Sequence, residues 1–124
     1  RIQIIKGWVD AQGAMQEKII DAVWSGDRKA GAEGKVPAVG NTVDVKTATW
    51  TDTIGSAELS GSWVDEAFDP AQNALYYARV LQIPTPRWTT YDAVRANLPL
   101  LDGVNATIQE RAWSSPVWYT PGNP

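Results

Sequence analysis

The sequence predicts an all-β domain: a β-sandwich of six or seven short strands, with one short helix after the fifth. Three observations carry that expectation. Side chains alternate apolar and polar in short stretches, most cleanly over Ala57, Leu59, Gly61 and Trp63 against Glu58, Ser60 and Ser62. Ten glycines and eight prolines punctuate the stretches. Only one segment outside the turns carries helix signals. A chain of 124 residues provides for one such domain with one core and is too short for two.

The elements follow in order. Ile2–Asp10 and Glu17–Trp24 read as two strands joined by a turn around Gly13, a hairpin. Ile4-Ile5 and Ile19-Ile20 break the alternation, so either both faces are covered or a bulge shifts the phase. Residues 25–41 hold four glycines, a proline and mixed charge and read as a long loop. Val43–Thr51 is the third expected strand and Ala57–Val64 the fourth, half-buried with one wet face. Asp69-Pro70 reads as a helical cap with proline at the first position. Ala74–Ile83 is apolar on both faces and is expected at the centre of a sheet, with Arg79 needing a partner. Pro84 and Pro86 end it, because proline cannot donate to a ladder. Thr90–Asn97 is the helix, with Thr90 as its cap and Asp92 in its first turn. Ala106–Ala112 and Val117–Thr120 close the chain as strand segments interrupted by Ser114-Ser115-Pro116. By alternation Trp118 takes one face of that closing strand, and Trp113 and Tyr119 the other. Asp69–Tyr77 is similar to the approach to the tyrosine corner of immunoglobulin-type sandwiches, which makes that arrangement one of the forms open to the chain.

Composition narrows the function. The formal net charge is -3 with no basic stripe, so a nucleic-acid partner is not expected. No apolar run approaches the roughly 20 residues of a membrane span. The absence of cysteine excludes disulfides and thiolate metal sites and fits cytoplasm and periplasm alike. The absence of histidine removes the commonest general base and metal ligand. The chain enters strand-like sequence immediately after Arg1, which reads as a cut within a longer polypeptide.

No catalytic or metal-binding constellation emerges. Asp65, Glu66 and Asp69 cluster, and Asp21 and Asp27 flank the loop. Neither group has calcium-loop spacing, and a solvated turn is the simpler reading. Ser114 and Ser115 lack a nucleophile elbow and a histidine partner. Gly31 and Gly34 do not fit a phosphate loop. Seven tryptophans are the strongest feature. Trp63 reads as core, since it shares a face with Ala57 and Leu59. Arg87, Trp88, Tyr91, Trp113 and Trp118 are the candidates for an interaction surface, because a proline-bounded connection rich in aromatics carries more apolar surface than a linker needs. Two functions fit: an accessory domain that docks on another domain, or an independent carbohydrate- or ligand-binding module with exposed aromatics beside polar groups. An autonomous enzyme would need a converging acidic cleft.

Tyr76–Ala93 and Gln109–Pro121, with Gly40–Asp44 and Ile54–Leu59, resemble the C-terminal end of a large bacterial family, the domain-of-unknown-function family three-six-zero-four. Members of that family resemble metal-dependent hydrolases of the polymerase-and-histidinol-phosphatase type, whose catalytic part is a barrel with His and Asp/Glu ligands. Ser115-Pro116-Val117-Trp118 looks like the closing strand of such hydrolases. The resemblance implies that this chain is a non-catalytic C-terminal domain without a cofactor of its own. Its partner would be an upstream catalytic domain of the same polypeptide, which would hold any divalent metal. Separated from it, the exposed face invites self-association.

Overall fold

The structure, a computed structural model, describes residues 1–122. It is an all-β, small sandwich-like fold with one short helix. β1 (Ile2–Val9) and β2 (Met15–Val23) form the expected hairpin. Asp10 caps its turn, accepting hydrogen bonds from Gln12 N–H and Ala14 N–H, while Gly13 takes a φ of 81° that a side chain would resist. β3 (Ala74–Leu81) pairs antiparallel with β1. β4 (Thr85–Pro86) pairs with β5 (Thr107–Ile108) in a two-stranded sheet. β6 (Arg111–Trp113) and β7 (Val117–Tyr119) both pair with the free edge of β3. The main sheet therefore runs β2-β1-β3-β6, with β7 continuing the β6 edge. Ala74–Ile83 sits at the centre, as its two apolar faces require. Arg79 meets its partner: Nε and Nη2 donate to Gln3 Oε1 at 2.9 and 2.6 Å.

Between β6 and β7 the edge bulges. Trp113 lies opposite Arg79 and Val117 opposite Tyr76, so Ser114, Ser115 and Pro116 face only Tyr77 and Ala78. Ser114 bridges the gap. Its N–H donates to Ala78 O at 3.0 Å, and its Oγ accepts from Ala78 N–H at 2.9 Å. The extra residue reverses the parity expected from simple alternation. Trp113 and Trp118 lie on one face with Leu75, Tyr77 and Arg79, and Tyr119 lies on the other.

Two expected strands do not form ladders. Val43–Thr51 folds into a tight turn with a single bridge between Asp44 and Thr49. Asp44 Oδ1 accepts from Lys46 N–H, and Ala48 takes the left-handed conformation. Local side-chain bonding by the acidic residue outcompetes the valine alternation. Ala57–Val64 joins no ladder. Its alternation survives in part as packing: Leu59 and Trp63 are half-buried while Glu58, Ser60 and Ser62 are exposed, and Ala57 and Gly61 are exposed with them. Residues 54–69 cross the even-numbered face of β1 and β3 as a cover. A Cβ on Gly61 would lie 2.7 Å from Val23 Cγ2, and Trp63 packs on Tyr76 with ring centroids 6.3 Å apart.

Asp69-Pro70 makes a turn, not a helix: Asp69 Oδ1 accepts from Ala71 N–H, and Asp69 O accepts from Gln72 N–H. The helix α1 (Trp88–Ala96) begins two residues earlier than expected. Its cap is Arg87, which gives no side-chain bond, and Asp92 falls beyond the first turn. Thr90 is 1% exposed and donates its hydroxyl to Ala106 O at 2.7 Å, so it ties the helix to the residue that precedes β5. Asn97 ends the helix in the left-handed conformation, and Arg95 in the last turn suits the helix dipole.

The core is thin. The buried apolar side chains are Ile5, Val36, Ala48, Ala74 and Ala93, and three of these are alanine. None of the seven tryptophans reaches that class, which corrects the expectation that Trp63 belongs to the core. Trp63 is half-buried against the cover and not within a closed interior. The accessible surface is 8878 Å². A closed monomer of this mass exposes about 6,500 Å², so roughly 2,300 Å² is in excess.

Candidate functional site

Strand register assembles an apolar face on the odd-numbered side of the main sheet. β1 contributes Ile5, Gly7 and Val9; β2 contributes Ile19 and Met15; β3 contributes Leu75 and Tyr77. Trp118 stands beside Leu75, and Trp113 stands beside Arg79, about 13 Å further along the strand at the usual rise. The Leu75 side chain packs over Gly7, its Cγ 3.3 Å from a would-be Cβ. Exposure on this side of the sheet is high for Met15 at 89%, Trp118 at 70% and Trp113 at 59%. Val9 and Ile19 are also exposed. Ile5 between them is 1% exposed and Glu17 separates Met15 from Ile19, so the exposed apolar side chains lie around a covered Ile5.

A polar row borders the face at one end. Arg79 donates to Gln3, Gln3 Nε2 donates to Asp21 Oδ1 at 2.7 Å, and Arg1 Nη1 donates to Asp21 Oδ2 at 2.9 Å. Val36 N–H from the long loop completes the shell at 2.8 Å. Burial pushes the Asp21 carboxyl up, but the bonds from Val36 N–H, Gln3 and Arg1, with the Arg1 charge, outweigh it and hold it below the usual carboxylate range. The row is self-satisfied, and two exposed charges share its side of the sheet: Glu17, opposite Gly7 between Met15 and Ile19, and Arg111, opposite Leu81.

The opposite face holds a second cluster. Lys6, 7% exposed, bonds to Asp65 Oδ2 and to Ala67 O at 3.1 Å, with its ammonium 5.2 Å from the Trp8 ring centroid. Tyr76 OH donates to the same Asp65 oxygen at 2.7 Å. Burial favours the neutral form of Asp65, yet the bonds from Lys6, Tyr76 and Ala67 N–H bring its carboxyl below the usual range. Burial first, then the bond to Asp65 and its charge, push the Tyr76 hydroxyl up to about 12. This cluster staples the 54–69 cover to the sheet. Beside it lies a crevice of about 200 Å³. A larger, more open cleft of about 580 Å³ lies between Ile54, Val80 and Arg28. The Arg28 guanidinium there is occupied by the Ser25 and Pro37 carbonyls.

The five surface candidates fall into two groups. Trp113 and Trp118 belong to the apolar face. Arg87, Trp88 and Tyr91 lie at the start of α1, with Trp88 70% exposed and Tyr91 half-buried near Arg95. Sequence reading missed Val9, Met15, Ile19 and Lys6. The doubled isoleucines in both hairpin strands were the available signal, because they make both faces of the hairpin apolar. Of the acidic residues, Asp65 is committed to Lys6, Asp69 caps a turn and Glu66 is exposed. Among the described residues no group of three or more His, Asp or Glu is placed to hold a metal ion, so this residue set does not fit one. No helix among the described residues is long and apolar enough to cross a membrane.

An all-β domain with a thin core and several exposed apolar side chains on one side of its sheet is thus the class of protein. The chain belongs to the family described as "Protein of unknown function (DUF3604)", which it matches over residues 1–121. No curated protein and no solved structure matches it.

Proposed function

We propose that this chain is a non-catalytic accessory domain that packs, from the C-terminal side, on the catalytic domain of a metal-dependent hydrolase. The observation that carries the reading is the exposure of Val9, Met15, Ile19, Trp113 and Trp118 on one side of the sheet of a domain exposing roughly 2,300 Å² more than a closed monomer. That excess is the scale of one side of an obligate interface and exceeds the roughly 800 Å² per partner of a standard one. The hydrolase identity of the partner rests on the resemblance of Tyr76–Ala93 and Gln109–Pro121 to the end of such proteins.

The test supplies the catalytic domain as a separate polypeptide and measures hydrogen exchange in this chain. The expected result is a one-to-one complex that protects β2, β6 and β7, and weakens at least tenfold in Trp113→Ser/Trp118→Ser. Absence of a complex at tens of micromolar overturns the reading. Protection confined to α1 moves the interface to Arg87, Trp88 and Tyr91.

A further inference from the structure

We propose that the crevice on the even-numbered face, between β1–β2 and the 54–69 cover, is a binding site for a single anionic pyranose. It lies on the opposite side of the sheet from the docking face, so it does not depend on that reading.

Its lining includes Lys6, Trp8, Lys18, Trp63, Asp65 and Gln72. A volume of about 200 Å³ is the room of six or seven waters, the size of one six-membered ring with its substituents. Two indoles supply flat apolar surface for the C–H face of a sugar ring. The polar capacity left over is mostly donor. The indole N–H groups of Trp8 and Trp63, the Gln72 amide and the Lys18 ammonium bond no protein group among the described residues, and none is sealed from solvent. Lys6 spends two of its three N–H bonds on Asp65 and Ala67. Asp65 already accepts from Lys6, Tyr76 and Ala67.

Such a site suits an oxygen-rich ligand. Hydroxyl and ring oxygens would accept from the indoles and Gln72, and the Gln72 carbonyl would receive a hydroxyl. Charge selects further. Lys6 and Asp65 neutralise one another, which leaves Lys18 for a carboxylate or sulfate on the ring. A neutral sugar leaves Lys18 unmatched. A simple aromatic acid leaves the remaining donors unmatched.

The test follows the indole N–H resonances of the chain during titration with D-glucuronate, D-glucose and benzoate. Glucuronate should shift Trp8 and Trp63, and bind about three- to fivefold more tightly than glucose, the margin one exposed ion pair supplies. Lys18 is exposed, so Lys18→Gln should leave the melting temperature unchanged and erase that margin. Three results overturn the proposal: no indole shift at millimolar sugar, shifts at Trp113 and Trp118 in place of Trp8 and Trp63, or benzoate binding as tightly as glucuronate. A margin that survives Lys18→Gln also overturns it.

Discussion

Asp65→Ala is expected to destabilise the domain by about 3 kcal/mol and to release its cover. The residues around 65 make no ladder bonds, so few attachments hold them to the sheet. Lys6 and Asp65 side chains are only 8% and 12% exposed. Removing the carboxylate leaves the Lys6 ammonium with Ala67 O as its remaining acceptor, and Tyr76 OH with none. Breaking a deeply buried pair costs about 3–5 kcal/mol. This pair sits near a crevice that water can enter, so about 2 kcal/mol is the better figure, with about 1 kcal/mol more for the tyrosine bond. Urea unfolding followed by tryptophan fluorescence reads the change. With a slope of about 1.5 kcal/mol/M, the midpoint should fall by about 2 M. Hydrogen exchange should show residues 63–69 opening before the β1–β2 hairpin. Lys6→Met/Asp65→Leu should recover most of the loss, because no charge is then stranded. A midpoint shift below about 0.3 M in Asp65→Ala, or a double variant no better than the single, would refute the staple.

Other outcomes follow from particular contacts. Gly61→Ala forces a methyl to within 2.7 Å of Val23 Cγ2 and should lower the stability by about 1–3 kcal/mol in the same urea assay. Thr90→Val removes a buried bond to Ala106 O, which keeps Arg87 N–H as its other donor, for a loss of about 1 kcal/mol in thermal unfolding. Tyr76 should ionise well above the ordinary tyrosine value near 10, followed by difference absorbance against Tyr76→Phe at alkaline pH; its raised value makes its contribution complete below about pH 10, and lost as pH rises to about 12. Asp21 and Asp65 are depressed, so their contribution is present above about pH 4 and disappears as pH falls through their folded values, which an acid titration of circular dichroism would follow.

Much of the architecture was legible from local pattern. The hairpin around Gly13 and the two-faced apolar run Ala74–Leu81 announced themselves, because turn chemistry and burial on both faces leave direct marks in sequence. Ala57–Val64 was legible only in part. Its alternation reports which side chains face the sheet, and a cover strand and a ladder strand share that pattern. Backbone pairing depends on a neighbour within hydrogen-bond reach, and none is there. Thr90 misled for a related reason: a threonine ahead of a helical run serves equally as a cap or as a tie to a distant carbonyl. Lys6 gave no signal at all, since its acceptors lie about 60 residues away.

Of the candidate surface, the sequence by itself determined that Trp88, Trp113 and Trp118 were available for it, and that a chain without histidine or cysteine lacks the usual ligands and bases. It determined the all-β class, through a period of two, and the central strand. The tertiary structure alone decided which tryptophans stand together. One extra residue at Ser114–Pro116 inverts the parity of the closing strand and sets Trp113 on the same face of the sheet as Trp118, Val9, Met15 and Ile19. Parity along a strand is a local rule, but the register that fixes it across a bulge depends on the hydrogen bonds of the neighbouring strand.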